Sequence, residues 1–135
     1  MNPPSVVLVM QEIDHVMYSR KTDEDLSCGL RVAFKIFGGK WKLCIIDAIR
    51  QGITRPAEIH KWISSPPRRV IEIQLAELLF FGVVERQAED TYPRKTEYRL
   101  TALGESILPL LDQLDKWGTE HKYFVMEKQN SLVQA

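Results

Sequence analysis

The chain has 135 residues, 44% hydrophobic and 27% charged, with 18 basic side chains balanced by 18 acidic ones. That size suits one domain with a modest core, and that composition is neither disordered nor membrane-like. No apolar run approaches the roughly 20 residues of a bilayer span, and two cysteines make no disulfide framework, which points to a reducing cytoplasm.

Residues 1–27 read as a partly irregular extension. Asn2-Pro3-Pro4 breaks regular structure, Val6–Met10 is too short for a signal segment with its cleavage site, and Ser19–Ser27 is polar. Leu30, Ala33, Phe34 and Phe37 then fall at helical spacing, and Gly38-Gly39 ends that helix. Trp41–Arg50 is apolar on nearly every side, the mark of a helix in the middle of a domain, with Cys44 expected to be buried and inert. Arg55–Ile63 predicts a short amphipathic helix with Pro56 in its first turn and Ile59, Trp62 and Ile63 inward.

Ser64-Ser65-Pro66-Pro67 predicts a tight turn in which a serine caps a helix starting at Pro66 and ending near Phe81. Ile71, Leu75 and Leu78 form its inward stripe, which leaves Arg68, Arg69, Glu72, Ile73 and Ala76 on the open face. Val83–Ala88 and Thr96–Leu100 predict a hairpin whose tip holds Pro93, Arg94 and Lys95. From Thr101, a capping residue, one long helix is expected, bent at Pro109 and apolar along Leu103, Ile107, Leu110, Leu111, Leu114 and Trp117.

Charge is unevenly placed. Between Lys40 and Val70 the basic residues are Lys40, Lys42, Arg50, Arg55, Lys61, Arg68 and Arg69, against only Asp47 and Glu58. A basic middle on a neutral chain fits a local phosphate-facing surface. No catalytic constellation accompanies it. His15, His60 and His121 lack metal-ligand spacing, Gly38-Gly39 lacks the spacing of a phosphate loop, and no serine sits in a nucleophile elbow. No enzyme activity, metal or cofactor is expected.

Five blocks occur in order and without gaps. Cys28 stands ten residues before Gly38-Gly39-Lys40-Trp41, followed by Gly52-x-x-Arg55-Pro56-x-Glu58-Ile59 and Gln74-Leu75-x-Glu77-Leu78-x-x-x-Gly82-Val83-Val84-x-Arg86. Glu97-Tyr98-x-Leu100-Thr101-x-x-Gly104 and Leu114-x-x-Trp117-Gly118 complete the set. Over residues 28–118 the chain resembles the HxlR-type branch of the MarR-like bacterial transcription regulators.

The resemblance implies a mainly α fold with a small β-hairpin. It would be a winged helix-turn-helix domain at 28–126 with flanking N- and C-terminal dimerisation helices, followed by a tail at 127–135. It also makes Met17-Tyr18-Ser19-Arg20-Lys21 look like the start of a family member, so Met17 is a candidate translation start.

The partner implied is double-stranded DNA, a pseudo-palindromic operator held by a homodimeric repressor. The helix after the turn becomes the recognition helix. Arg68 and Arg69 can contact guanine in the major groove, Glu72 can accept from cytosine N4, and Ile73 and Ala76 lie beside them. Ser65-Pro66-Pro67 departs from the family's more polar entry to this helix and bears on its register. Arg94 and Lys95 become wing residues that position the protein on phosphates, and Arg55 joins the DNA-facing set.

Leu30, Phe34, Leu110, Leu111, Leu114, Trp117 and Phe124 become the dimer interface, since a monomer would leave that patch bare. Glu58, Glu97 and Arg99 are expected to brace the scaffold. Cys28 aligns with a cysteine that senses oxidants or electrophiles in some members. It would open the first helix, where the helix dipole, Arg31 and Lys35 favour a thiolate while Asp23, Glu24 and Asp25 oppose it. The competing reading is a winged helix that binds protein, for which zero net charge and Phe80-Phe81 speak.

Overall fold

The structure, a computed structural model, describes residues 26–93 and 95–134. The extension at 1–25, with the candidate start at Met17, the acidic run at 23–25 and His15, lies outside the described residues, as do Arg94 and Ala135.

In chain order come α1 (Gly29–Phe37), α2 (Lys42–Arg50), α3 (Pro56–Ile63), α4 (Arg68–Phe80), β1 (Val84–Ala88), β2 (Thr96–Leu100), α5 (Ala102–Ser106) and α6 (Leu108–Gln134). This is the expected winged helix-turn-helix order, mainly helical with one antiparallel hairpin. No described helix is long and apolar enough to cross a membrane. Of the described residues, those up to Glu105 form one compact unit and those from Ser106 onward a second.

The first unit is built around α2. Ile45, Ile46, Ala48 and Ile49 are buried there, together with Ile59 of α3, Ile71, Leu75 and Leu78 of α4, and Val83, Val84 and Tyr98. Cys44 is exposed, against expectation. At about 100° per residue, Cys44 shares an outer arc with Asp47 and Gln51, so even a mostly apolar helix keeps one wet strip. Trp62 is also more exposed than expected, because α3 is short and Ile59 takes its one buried position.

The turn between α3 and α4 differs from its sequence reading. Ser64 adopts a left-handed φ of 64° and its N–H closes α3 on the His60 carbonyl at 2.8 Å. No serine caps α4, which begins at Arg68 with Pro67 as its extended N-cap. The reason is the second proline: a residue that precedes proline is pushed out of the helical region, so Pro66 cannot open the helix.

The hairpin pairs Val84 with Leu100, Arg86 with Tyr98 and Ala88 with Thr96. Its root is tied down twice. Tyr98 N–H donates to the Thr54 carbonyl at 2.9 Å, joining β2 to the segment that enters α3. The Thr101 hydroxyl reaches the Gly82 and Val83 carbonyls at 2.5 and 3.0 Å and accepts from Gly104 N–H at 3.1 Å, the expected cap.

The single bent helix expected after Thr101 is instead two, α5 and α6, interrupted at Ile107. Pro109 falls in the first turn of α6, where its missing N–H costs nothing, so it marks a start and not a bend. From there α6 continues to Gln134, so residues 127–134 are helical.

Candidate nucleic-acid interface

α3, the turn and α4 form the helix-turn-helix, and α4 is placed by its packing. It meets α1, α2, α3 and β1, so its buried arc is wide. Ala76, expected on the open face, is buried (5% exposed) for that reason and is removed from the DNA-facing set. Arg68 and Arg69 remain exposed at the N-terminal end, with Glu72 and Ile73 half-buried behind them.

The turn that presents this end is braced. His60 Nε2 lies 2.9 Å from the Pro66 carbonyl, which can only accept, so Nε2–H donates and Pro66 is held in a buried position. Pro67 has no side-chain acceptor, so the first-turn N–H groups of α4 have no cap side chain in front of them. Arg68 Nε lies 3.2 Å from Glu72 Oε1. A pair this exposed adds little stability, but it aims the Arg68 guanidinium.

The basic middle of the chain is partly neutralised from within. Lys42 is buried and ion-paired with Glu77. Arg50 lies 2.5 Å from Asp47, and Arg55 lies 3.8 Å from Glu97. Arg99 reaches the same Glu97 at 3.6 Å, so Glu97 braces the wing root as expected, with Arg55 on its other side. Arg55 is half-buried beside β2, at the edge of any surface that α4 offers. Glu58 is exposed on α3.

At the hairpin, Lys95 is exposed, and its carbonyl accepts from Glu89 N–H at 3.1 Å. Burial raises the Tyr98 phenol above its usual value; the Arg86 guanidinium pulls it down, and the Glu72 carboxylate adds slightly to the rise. α4 and the wing root therefore share one electrostatic neighbourhood. Arg86 Nε is buried without a hydrogen-bond partner among the described residues.

Two features escape a reading by periodicity. Tyr92 stands 95% exposed beside the hairpin tip. Its signal was an aromatic between Thr91 and Pro93 in a polar turn, where no core asks for it. The other is the Lys42–Glu77 pair, whose signal was the one charged residue among the apolar positions of α2's inner face.

Of the residues assigned to dimerisation, Leu30 and Phe34 on α1 are 73% and 74% exposed. Leu110, Leu114, Trp117 and Phe124 on α6 are each about half exposed or more. Leu111 differs: it is 6% exposed and offers little surface to a partner. Cys28 is exposed at the N-cap of α1 and makes no side-chain cap bond.

The family model described as HxlR-like helix-turn-helix matches residues 36–126. An uncharacterized HTH-type transcriptional regulator of Methanothermobacter thermautotrophicus is 33% identical over 113 residues, 84% of each chain. The HTH-type transcriptional regulator YkvN of Bacillus subtilis is 36% identical over 92 residues, 68% of this chain and 78% of its own. Among solved structures, the redox regulator HypR in its reduced form aligns with a TM-score of 0.69 at 28% identity, over 74% of this chain and 99% of that one.

Proposed function

The chain belongs to the HxlR-like helix-turn-helix family, and from that membership we propose that it is a cytoplasmic, homodimeric repressor of transcription that binds a pseudo-palindromic operator. The observation that carries the reading is the presentation of Arg68 and Arg69 at the exposed N-terminal end of α4, ahead of a hairpin with Lys95 at its tip. The N-terminal end of a recognition helix meets the base edges, and arginine there can grip guanine O6 and N7 with two hydrogen bonds. Glu72 serves first by aiming Arg68. Tyr92, Arg94 and Lys95 reach the backbone or the minor groove and set the protein's position on the duplex.

Dimerisation is supported by the bare apolar side chains on α1 and on α6, which a second copy would cover. Two α4 helices related by a twofold axis would then read two half-sites. Cys28, exposed at the N-cap of α1, is the candidate point of redox control, supported by the likeness to HypR, a redox regulator. A protein-binding role is the second reading, favoured by Trp62 and Phe80, which are about half exposed, with Phe80 set edge-on to Phe81.

A gel shift with the chain's own upstream promoter DNA separates the two. A retarded band that survives competitor DNA is expected. Arg68→Ala with Arg69→Ala should abolish it without unfolding the protein, each lost bidentate contact costing about 1–3 kcal/mol. A double variant that still binds as the wild type does would move the reading surface away from α4.

A further inference from the structure

Two sequence blocks outside the proposed DNA-facing set meet in space. Gly39-Lys40-Trp41-Lys42 joins α1 to α2, and Gln74 and Glu77 lie on α4. Trp41 N–H donates to Gln74 Oε1 at 3.2 Å, so a side chain of α4 satisfies an amide at the opening of α2. One residue on, the Lys42 ammonium, 5% exposed, pairs with the Glu77 carboxylate. Gly39 closes the cluster at a φ of 132° that glycine favours, its Cα close enough that an added Cβ would lie 3.5 Å from Lys42 Cδ and 3.7 Å from Gln74 Nε2. Both ties bind the same pair of elements, and α1 itself touches α4.

On α4 the two anchor residues are three apart and share one face. Glu77 follows Arg68 by nine positions, about half a turn round the helix, so the clamp grips the side of α4 opposite Arg68. We propose that Lys42, Gln74 and Glu77 are positioning residues for operator reading: they fix the rotation of α4 about its own axis against the α1–α2 elbow, and with it the direction in which Arg68 and Arg69 point. This rests on α4 being the DNA-reading helix.

The pair is suited to register more than to stability. Buried ion pairs replaced by apolar side chains of similar volume often leave a protein as stable as before, whereas an ion pair and a hydrogen bond accept only narrow geometry. An apolar replacement would leave the helix free to settle at a slightly different rotation.

The test compares the full chain with Lys42→Met/Glu77→Leu and with Gln74→Leu. Each protein is scored for its thermal midpoint and for affinity toward two duplexes of equal length. One is the sequence that the wild type enriches from a random pool, and the other is a scrambled control. The double variant should keep its midpoint within a few degrees and bind the scrambled duplex as the wild type does. Its preference for the enriched duplex should fall about tenfold, the size of one lost base-pair discrimination. Gln74→Leu should shift the same ratio in the same direction, and it carries the judgement if the double variant fails to fold. A folded variant that keeps full preference overturns the proposal. A wild type that enriches no sequence at all overturns the DNA reading of α4 instead, and the proposal with it.

Discussion

Gly104 has no room for a side chain. A Cβ there would stand 2.2 Å from the Val83 carbonyl, the same oxygen that accepts from Thr101 N–H at 3.1 Å. Gly104→Ala should therefore lower the stability of the wing root by about 1–3 kcal/mol, the usual cost of overpacking, measured by denaturant unfolding. Unchanged stability would show that the Thr101 junction yields easily. At Cys28 the expected outcome is functional. Mild peroxide or diamide should weaken DNA binding by the wild type and leave Cys28→Ser unaffected. Cys44 is exposed as well, so Cys44→Ser is the necessary control and should respond as the wild type does. Equal oxidant response from wild type and Cys28→Ser would reduce Cys28 to the residue ahead of α1. At this scale the sequence was a partial guide. It placed Arg68 and Arg69 on the open face, and both are exposed. Arg69 is so by its angle from the stripe of Ile71, Leu75 and Leu78. Arg68 lies on the line of that stripe and is exposed by standing at the first position of α4, ahead of the core. It misplaced Ala76, Cys44 and Trp62, because a stripe names the face that is covered and not how wide the cover is.

At the scale of elements, the wing and α4 should separate by what they do to binding. Arg94→Ala with Lys95→Ala is expected to weaken binding to all duplexes about equally. It should also flatten the dependence on salt, since each phosphate contact contributes roughly −0.9 to the slope of log K against log salt. A change in the preferred sequence would instead give the wing a reading role. Nearly every element was legible in its length and kind: α2 from its dense apolar run, α3 from Pro56, and the hairpin from two strand-like runs around a proline-bearing turn. The failures came where two local rules compete. Ser65-Pro66-Pro67 satisfies a cap-and-proline pattern, yet the second proline keeps Pro66 extended and delays α4 to Arg68. Pro109 looked like a bend inside one helix. With Ile107 in a turn, it became a first-turn residue of α6.

For the whole molecule, the expectation is a dimer. The chain should scatter light as a dimer at micromolar concentration. Leu114→Lys should convert it to monomer or aggregate and abolish cooperative operator binding, because a buried unpaired charge is costly. A wild type that remains monomeric and still binds DNA tightly would sink the interface assignment. The side chains available for that contact are those the chain leaves uncovered, Leu30 and Phe34 on α1 and Leu110, Leu114, Trp117 and Phe124 on α6. Leu111, on the same helix, is already buried. The α6 stripe was visible in the sequence as a repeat longer than one small domain needs.

By itself the sequence determined the family, the order of elements up to the break at Ile107, and the helix whose N-terminal end carries two exposed arginines. Those properties follow from backbone preference and from the spacing of apolar residues, both of which act over a few positions. Tertiary structure alone decided which charges are spent inside the protein. Lys42 counted toward a basic surface until α4 placed Glu77 against it, and Trp41 N–H found its acceptor 33 residues away in Gln74. Arg55 likewise turned toward Glu97 at the wing root. A charge in a sequence has a sign but no partner, and pairing depends on distances that exist only once the helices have packed.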